Sequence, residues 1–381
     1  MHNSSNEPNA GSNGGTTGQA PLRLLKGSDA SSTCLGCHEA AGLMGPTGHY
    51  VSTPGSEVTA GMPPKQLTPG GDFGWLKRSY TFSKNGTAVV EDGSSHGHNI
   101  VAVDKGYTAV AGTSPGGSYP ASMLSCISCH NPHGIARQPS TGSFAMPKVR
   151  QVNAPIRSSG AYANSLIPAA GEAVGDYRLL AGRNYASGPV TFQTYPVAVA
   201  PATYNQSEAT NQVRVAYGFS GTNTWGNWCA TCHGKMHSNQ NYGHRVDQSL
   251  GSKIAANYNA YVRTGDLTGS STTSYLSLVP FATNSGDFAT LAALANNNNS
   301  NLNGPNANDQ VNCLTCHRAH ASGWKHALRW NNSTTFIVER GVWPAAQGRT
   351  VEETRKAYYD RPPTVFASYQ RGLCNKCHLK D

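Results

Sequence analysis

Apolar positions in this 381-residue chain seldom settle into a long period of either kind. Sustained helical stripes and regular strand alternation are both scarce. Three segments stand out. Tyr80, Phe82 and Val89 alternate with polar residues on either side of Asn85-Gly86, a pair suited to a type I′ turn, so a β-hairpin is predicted there. Asp287 to Asn296 predicts a short helix that runs into a loop at Asn297-Asn298-Asn299. Val351 to Tyr359 predicts another, stopped by Pro362-Pro363. The leader from Met1 through Gly18 is rich in Asn, Ser and Gly, and residues 1–33 read as a flexible or surface-draped N-terminal arm.

Composition deepens the puzzle. With 38% hydrophobic residues, 42 Gly and 22 Pro, a chain of this kind has difficulty burying enough apolar surface to offset the entropy of ordering it. Something other than polypeptide is expected to contribute to the core.

The cysteines say what. All ten fall in five copies of Cys-x-x-Cys-His. These are Cys34, Cys37 and His38; Cys126, Cys129 and His130; Cys229, Cys232 and His233; Cys313, Cys316 and His317; and Cys374, Cys377 and His378. Structural zinc and disulfides are the plain alternatives, but zinc ribbons set their cysteine pairs closer together, and a disulfide needs no neighbouring histidine. With 14 histidines in the chain, one after every pair arises by composition alone roughly once in ten million. The spacing is that of covalent c-type haem attachment, two thioethers from the cysteines and one iron ligand from the histidine. Each motif is expected to form one helical turn. Five covalently held porphyrins would then supply an apolar core that the chain wraps, and residues 34–381 read as a single pentahaem domain.

Haem also alters the charge argument. A formal charge of +9 would ordinarily point to nucleic acid or an anionic membrane. Five haems bring about ten propionate charges, which leaves the reduced holoprotein near neutrality, and the Lys and Arg residues are scattered. Neither a nucleic-acid partner nor a membrane span is expected. No basic-then-apolar signal begins the chain, although c-type haem is attached outside the cytoplasm, so the sequence reads as a mature form whose export signal has been removed.

Beyond the five motif histidines stand nine others: His2, His49, His96, His98, His133, His237, His244, His320 and His326. Five bis-histidine irons are therefore affordable. His133, His237 and His320 follow their own motifs by three or four residues, and so lie on the same helical face as the motif histidine. Two axial ligands must approach an iron from opposite sides, so these three are expected to serve an adjacent haem. His98 and His244 lie apart from the motifs in Gly-containing loops. His98 is preferred to His96 because apolar Ile100 and Val101 follow it. His49 is the strongest remaining candidate, as a distal or inter-subunit ligand. His2 is weaker, and His326 is expected to be a surface or propionate contact.

Several segments carry a further likeness: Cys126-Ile-Ser-Cys-His-Asn-Pro-His-Gly, Trp228-Cys-Ala-Thr-Cys-His-Gly-Lys-Met-His with His244-Arg-Val-Asp downstream, and Cys313-Leu-Thr-Cys-His-Arg-Ala-His-Ala-Ser-Gly-Trp with Leu328-Arg-Trp. In these the chain resembles the extracellular multihaem c-type cytochromes of metal-reducing bacteria, a group that includes the OmcS- and OmcE-type nanowire cytochromes. The likeness is carried by the motif-bearing segments, about half of the chain. It implies a mostly irregular, coil-rich fold with short helices and a few short β-hairpins, organised around stacked haems. It also implies distal ligation by His98, His133, His237, His244 and His320. Five haems differs from the counts of the best-known filament formers.

The expected function is long-range electron transfer outside the cytoplasm, at the cell surface or beyond it, through five bis-histidine haems in a head-to-tail filament of copies of this chain. Other multihaem cytochromes or extracellular acceptors would be its partners. A discrete periplasmic or cell-surface carrier is the alternative. A five-haem reductase fits less well, because the nitrite reductases of that haem count hold their catalytic haem by Cys-x-x-Cys-Lys, and no such motif occurs here.

Overall fold

Asn85 and Gly86 reverse the chain where expected. Both take positive φ (52° and 79°), and β1 (Tyr80–Lys84) pairs antiparallel with β2 (Thr87–Glu91), placing Phe82 opposite Val89. Positive φ at both central residues twists the turn in the sense of the strands it joins. The computed structural model describes residues 27–41, 49–131, 180–201, 203–238 and 244–380.

The other strands are shorter still. β3 (Ala186–Ser187) and β4 (Val190–Thr191) make a second small hairpin. β5 (Val197–Val199) runs antiparallel to β6 (Ala216–Gly218), which pairs in parallel with β7 (Ala282–Thr283). β8 (Phe336–Glu339) pairs with β9 (Tyr369–Arg371). The helices among the described residues are α1 (Ala30–His38), α2 (Cys126–Cys129), α3 (Trp225–Ser238), α4 (Gly251–Ala260), α5 (Phe288–Leu294), α6 (Cys313–Cys316), α7 (Val351–Ala357) and α8 (Asn375–His378). Turns, bends and single 3-10 turns make up most of the rest, so the fold is coil-rich. No helix of the described residues is long and apolar enough to cross a membrane.

Both predicted helices form, with shorter bounds. Asp287 is the cap of α5 rather than its first residue, accepting from the Thr290 N–H at 2.7 Å. α7 opens on a reciprocal capping box, Glu353 N–H to Thr350 Oγ1 (3.1 Å) and Thr350 N–H to Glu353 Oε2 (2.8 Å). It ends at Ala357, before the expected Pro362-Pro363 stop, because Tyr359 and Asp360 turn into left-handed backbone (φ 59° and 61°). The arm expected over residues 1–33 lies outside the described residues up to position 26. From Ser28 onward the chain is anchored, by the Ser28 N–H to Asp104 Oδ2 (2.9 Å) and by α1.

The polypeptide also builds more core than its composition promised. All six tryptophans are buried, and Trp75, Trp324, Trp330 and Trp343 share one cluster with Tyr258, Tyr275, Tyr358 and Phe366. Trp343 stacks on Tyr358 with centroids 4.1 Å apart and planes at 6°. Each large ring buries about 150–250 Å², so a few aromatics replace many aliphatic residues. A second cluster holds Phe192, Tyr217, Trp225 and Trp228. The Cys-x-x-Cys-His turns lie along the edges of these clusters, with Cys316 and Cys377 packed on the first and Cys129 and Cys229 on the second.

Candidate haem-attachment and iron-ligand sites

Each Cys-x-x-Cys-His falls on a helical turn: the end of α1, α2, the middle of α3, α6, and α8 with its preceding Cys374. Helices this short are marginal in isolation, and their caps are supplied locally. Asp29 accepts from the Ser32 N–H (2.7 Å) at the start of α1. In α2 and α6 the second residue between the cysteines caps its own turn: Ser128 Oγ accepts from the Ser125 N–H (3.0 Å), and Thr315 Oγ1 from the Asn312 N–H (3.1 Å). The motif histidine then sits where the helix breaks. His130 (φ −115°, ψ 132°) and His317 (φ −110°, ψ 156°) are extended, and His233 (φ −118°, ψ 41°) interrupts α3.

All ten cysteines are free, and their sulfurs link the motifs in sequence order. The Cys34 and Cys126 thiols are hydrogen-bonded to one another, joining the first motif to the second. Cys129 and Cys232 are near enough to interact electrostatically, joining the second to the third. The Cys229 thiol interacts with that of Cys313 where α3 packs on α6, and Cys316 is near enough to Cys374 and Cys377 to interact electrostatically, joining the third motif to the fourth and the fourth to the fifth.

Cys37, like Cys374, is placed differently from the other eight. It is exposed, while its motif partner Cys34 is half-buried against Cys126. The cause is helical geometry. Leu35 is the fully buried residue of this turn of α1, and Cys37 follows it by two residues, about 200° around the helix axis. Burying Leu35 therefore turns the Cys37 sulfur outward. Of the two attachment sulfurs expected in the first motif, one lies at the motif–motif contact and the other at the surface.

The imidazoles are oriented by main-chain carbonyls. Nδ1 of His38 lies 2.8 Å from the His49 carbonyl, that of His233 2.8 Å from Pro115, and that of His317 2.7 Å from His326. His98 Nδ1 lies 2.7 Å from the Ala319 carbonyl, and His320 Nδ1 3.4 Å from that of Gly71. An Nδ1–H given to a carbonyl leaves Nε2 with its lone pair free for a metal.

Three motif histidines face a histidine from elsewhere. Ring centroids are 6.0 Å apart for His98 and His233, 6.3 Å for His130 and His320, and 5.8 Å for His244 and His378. The Nε2 atoms of His244 and His378 are 3.5 Å apart. Imidazole–metal bonds of about 2.0–2.1 Å on opposite sides of one ion would set the two nitrogens about 4 Å apart. Burial pushes His130 down to about 4 and His320 down to about 3, which keeps both neutral, the form that binds metal. His320 also stacks on Phe73, with centroids 4.7 Å apart. Paired free thiols together with facing imidazoles form a donor set that fits covalent haem.

The remaining candidates are placed differently. His96 is fully buried with both ring nitrogens engaged, Nδ1 by the Trp75 carbonyl (2.9 Å) and Nε2 by Glu91 (2.8 Å). His237 falls near the end of α3. His49 is exposed, with Nδ1 2.6 Å from the Tyr204 hydroxyl. His326 takes left-handed backbone (φ 61°) and contributes its carbonyl to His317. His133 and His2 lie outside the described residues. Sequence reasoning missed the carbonyls of Pro115, Ala319 and His326, since any residue type can offer a carbonyl.

It also missed the loop that braces the third motif. Ser114 Oγ donates to the Cys232 carbonyl, and the Lys235 N–H donates to the Gly116 carbonyl at 2.7 Å. Gly117 packs so close that a Cβ there would stand 1.8 Å from the Cys232 oxygen. Lys376, inside the fifth motif, is buried and donates from Nζ to the carbonyls of Tyr258 (3.2 Å) and Tyr261 (2.9 Å), pinning the C-terminal end of α4. Burial pushes its ammonium down to about 7.

No protein-family model matches the chain. It is 44% identical to the C-type cytochrome OmcS of Geobacter sulfurreducens, a similarity covering 94% of this chain and 86% of that protein. Two solved structures are similar throughout. The OmcS nanowires of Geobacter sulfurreducens match with a TM-score of 0.81 at 43% identity, over 95% of this chain and 92% of the other. The outer membrane cytochrome S filament of the same organism matches with a TM-score of 0.83 at 41% identity, over 100% and 97%. The similarity therefore extends well beyond the motif-bearing half from which it was first read. At this identity over this length, the chain belongs to the OmcS family of c-type cytochromes.

Proposed function

We propose that this chain carries five c-type haems, one on each Cys-x-x-Cys-His, and conducts electrons along them outside the cytoplasm as a subunit of a filament of its own copies. The observation that carries this is the approach of successive motifs in sequence order, with α1 packed on α2 and α3 on α6, and with Cys129–Cys232 and Cys316–Cys374 near enough to interact electrostatically. Thioether groups attached at those sulfurs would be brought edge to edge, in an unbroken line from the first motif to the fifth. The outward Cys37 sulfur would leave the first haem partly at the surface, where an electron can enter or leave the line. Bound haem supplies a one-electron ferric/ferrous couple.

In this reading the five motif histidines are proximal ligands, and three distal ligands follow from facing rings: His98 for the His233 iron, His320 for the His130 iron and His244 for the His378 iron. His133 and His237 are left for the irons of His38 and His317. The contact of the first and second motifs favours His133 for the first, and that of the third and fourth favours His237 for the fourth. His49, exposed and held at Nδ1, is the candidate to reach an iron across a subunit boundary. Closing both axial positions suits electron transfer rather than substrate chemistry and keeps the potentials below those of Met/His ligation. It also argues against a reductase.

The filament reading draws on the assembled relatives. A line of motifs running from one end of the chain to the other suits a head-to-tail interface that need not close. Haem counting by pyridine haemochrome should return five per chain, electron paramagnetic resonance should show only low-spin iron, and negative-stain microscopy should show filaments. A high-spin fraction that binds nitrite would instead support the enzyme, and discrete particles at every concentration would remove the filament.

A further inference from the structure

Four arginines line the interior beside the fourth motif, and three of them are ion-paired with no carboxylate among the described residues. Arg361 is ion-paired with Glu208, which also accepts from Ser277 Oγ at 2.6 Å. Arg214 donates to the Asn303 carbonyl (2.7 Å), with Asp309 near enough to act on it. Arg318 and Arg329, each 3% exposed, hydrogen-bond only to neutral groups, although Glu208 is near enough to act on Arg318. Arg318 donates to the Pro69 carbonyl (3.1 Å) and lies over the Tyr359 ring at 3.6 Å, while its Nε is buried without a partner. Arg329 donates from Nε to the carbonyls of Leu314 (2.6 Å) and His317 (3.2 Å), and from Nη1 to that of Ser277 (3.2 Å). Of the carboxylates that act on this cluster, Glu208 is already paired with Arg361 and Asp309 acts on Arg214.

Both arginines belong to the fourth motif, Arg318 as the residue after His317 and Arg329 as the brace across its turn. The first motif carries acidic neighbours instead, Asp29 at its cap and Glu39 after it, the latter paired with Lys105 at 2.8 Å. Adding an electron to a ferric haem lowers its charge by one unit, so a nearby cation favours the reduced form and a nearby anion opposes it. Burial strengthens the effect because counterions cannot approach.

The geometry points to Arg318 and Arg329 as redox-tuning residues that favour the reduced form of the haem at the fourth motif. The inference rests on the proposed haem at that motif.

Spectroelectrochemical titration of the purified holoprotein tests it, with five one-electron components resolved and haem counted first. Arg318→Gln should lower one component by about tenfold in its reduction equilibrium, about 59 mV for one electron, and leave the other four in place. Glu208→Gln should raise the same component, because it removes the carboxylate nearest the cluster among the described residues. The paired Cys313→Ser and Cys316→Ser variant, which cannot attach the fourth haem, should lose that component. Opposite shifts in the first two variants cannot come from general loosening of the fold. Midpoints that stay put with five haems bound, shifts of the same sign, or loss of a different component would overturn the tuning role alone. A wild-type count that lacks the fourth haem would overturn the haem assignment with it.

Discussion

The Nε2 atoms of His244 and His378 lie 3.5 Å apart although 134 residues separate them in the chain. The same relation recurs between His98 and His233 and between His130 and His320, so three far-separated segments converge on three motif histidines. In the proposed reading each convergence closes the second side of an iron.

Replacing His244 with Met should therefore change one haem and spare four. Met/His ligation raises the potential relative to bis-histidine. One component of the redox titration should move upward while the haem count stays at five. His244→Ala should open the same iron and give one high-spin, carbon monoxide-binding haem. An unchanged spectrum in both variants would exclude His244 as a ligand.

His96 and His98 are separated by one glycine and should behave oppositely. His98→Gln should convert one low-spin haem to high-spin. His96→Gln should leave all five low-spin but destabilise the protein by about 1–3 kcal/mol, since it disturbs a buried hydrogen-bonded group shared with Glu91 and Arg349. Spectra and thermal melts of the two variants check both halves.

Gly117→Ala should act on the third motif from outside it. An added Cβ would stand 1.8 Å from the Cys232 oxygen, so the bracing loop must move away. The expected loss is about 1–3 kcal/mol, as for other forced overpacking, read as a lower melting temperature. The loop's hold on the His233 ring should loosen as well, broadening one low-spin resonance signal.

Acid stability should depend on Glu91. Burial alone would raise this carboxyl, but hydrogen bonds from His96 and the Arg349 guanidinium outweigh it and hold the group at about 2. A carboxylate depressed in the folded state lends stability above its ordinary value near 4.5, and that stability drains away as pH falls toward 2. Glu91→Gln should flatten the loss of stability across that window, measured as the melting temperature against pH. A wild-type slope retained in the variant would assign the acid sensitivity elsewhere.

Local features were legible wherever a short stretch of sequence is its own cause. Asn85-Gly86 dictates a turn because both positions need positive φ, and Thr350 with Glu353 dictates a helix start because each side chain satisfies the other's N–H. The end of α7 was not legible: Tyr359 and Asp360 adopt left-handed backbone under tertiary contacts, such as the Tyr359 hydroxyl donating to the Thr68 carbonyl and the Glu208 N–H donating to that of Tyr359. The outward turn of Cys37 was hidden for the same reason, since the motif spacing does not say which face of α1 the fold buries. The aromatic core was underestimated likewise. Seventeen Tyr and six Trp are few in a chain of 381, and they form a core only when the fold gathers them.

By itself the sequence determined that this is a c-type cytochrome, because Cys-x-x-Cys-His is a covalent instruction contained within five residues. It also determined that each motif would be a helical turn, since its caps lie next to it. Only the tertiary structure decided that the motifs approach one another in sequence order and that His96 belongs to a buried ion network while His98 faces His233. It also decided that carbonyls of Pro115, Ala319 and His326 orient the imidazoles. Those relations join residues far apart in the chain through main-chain atoms and ring orientations that no residue type encodes, so they exist only once the loops have closed.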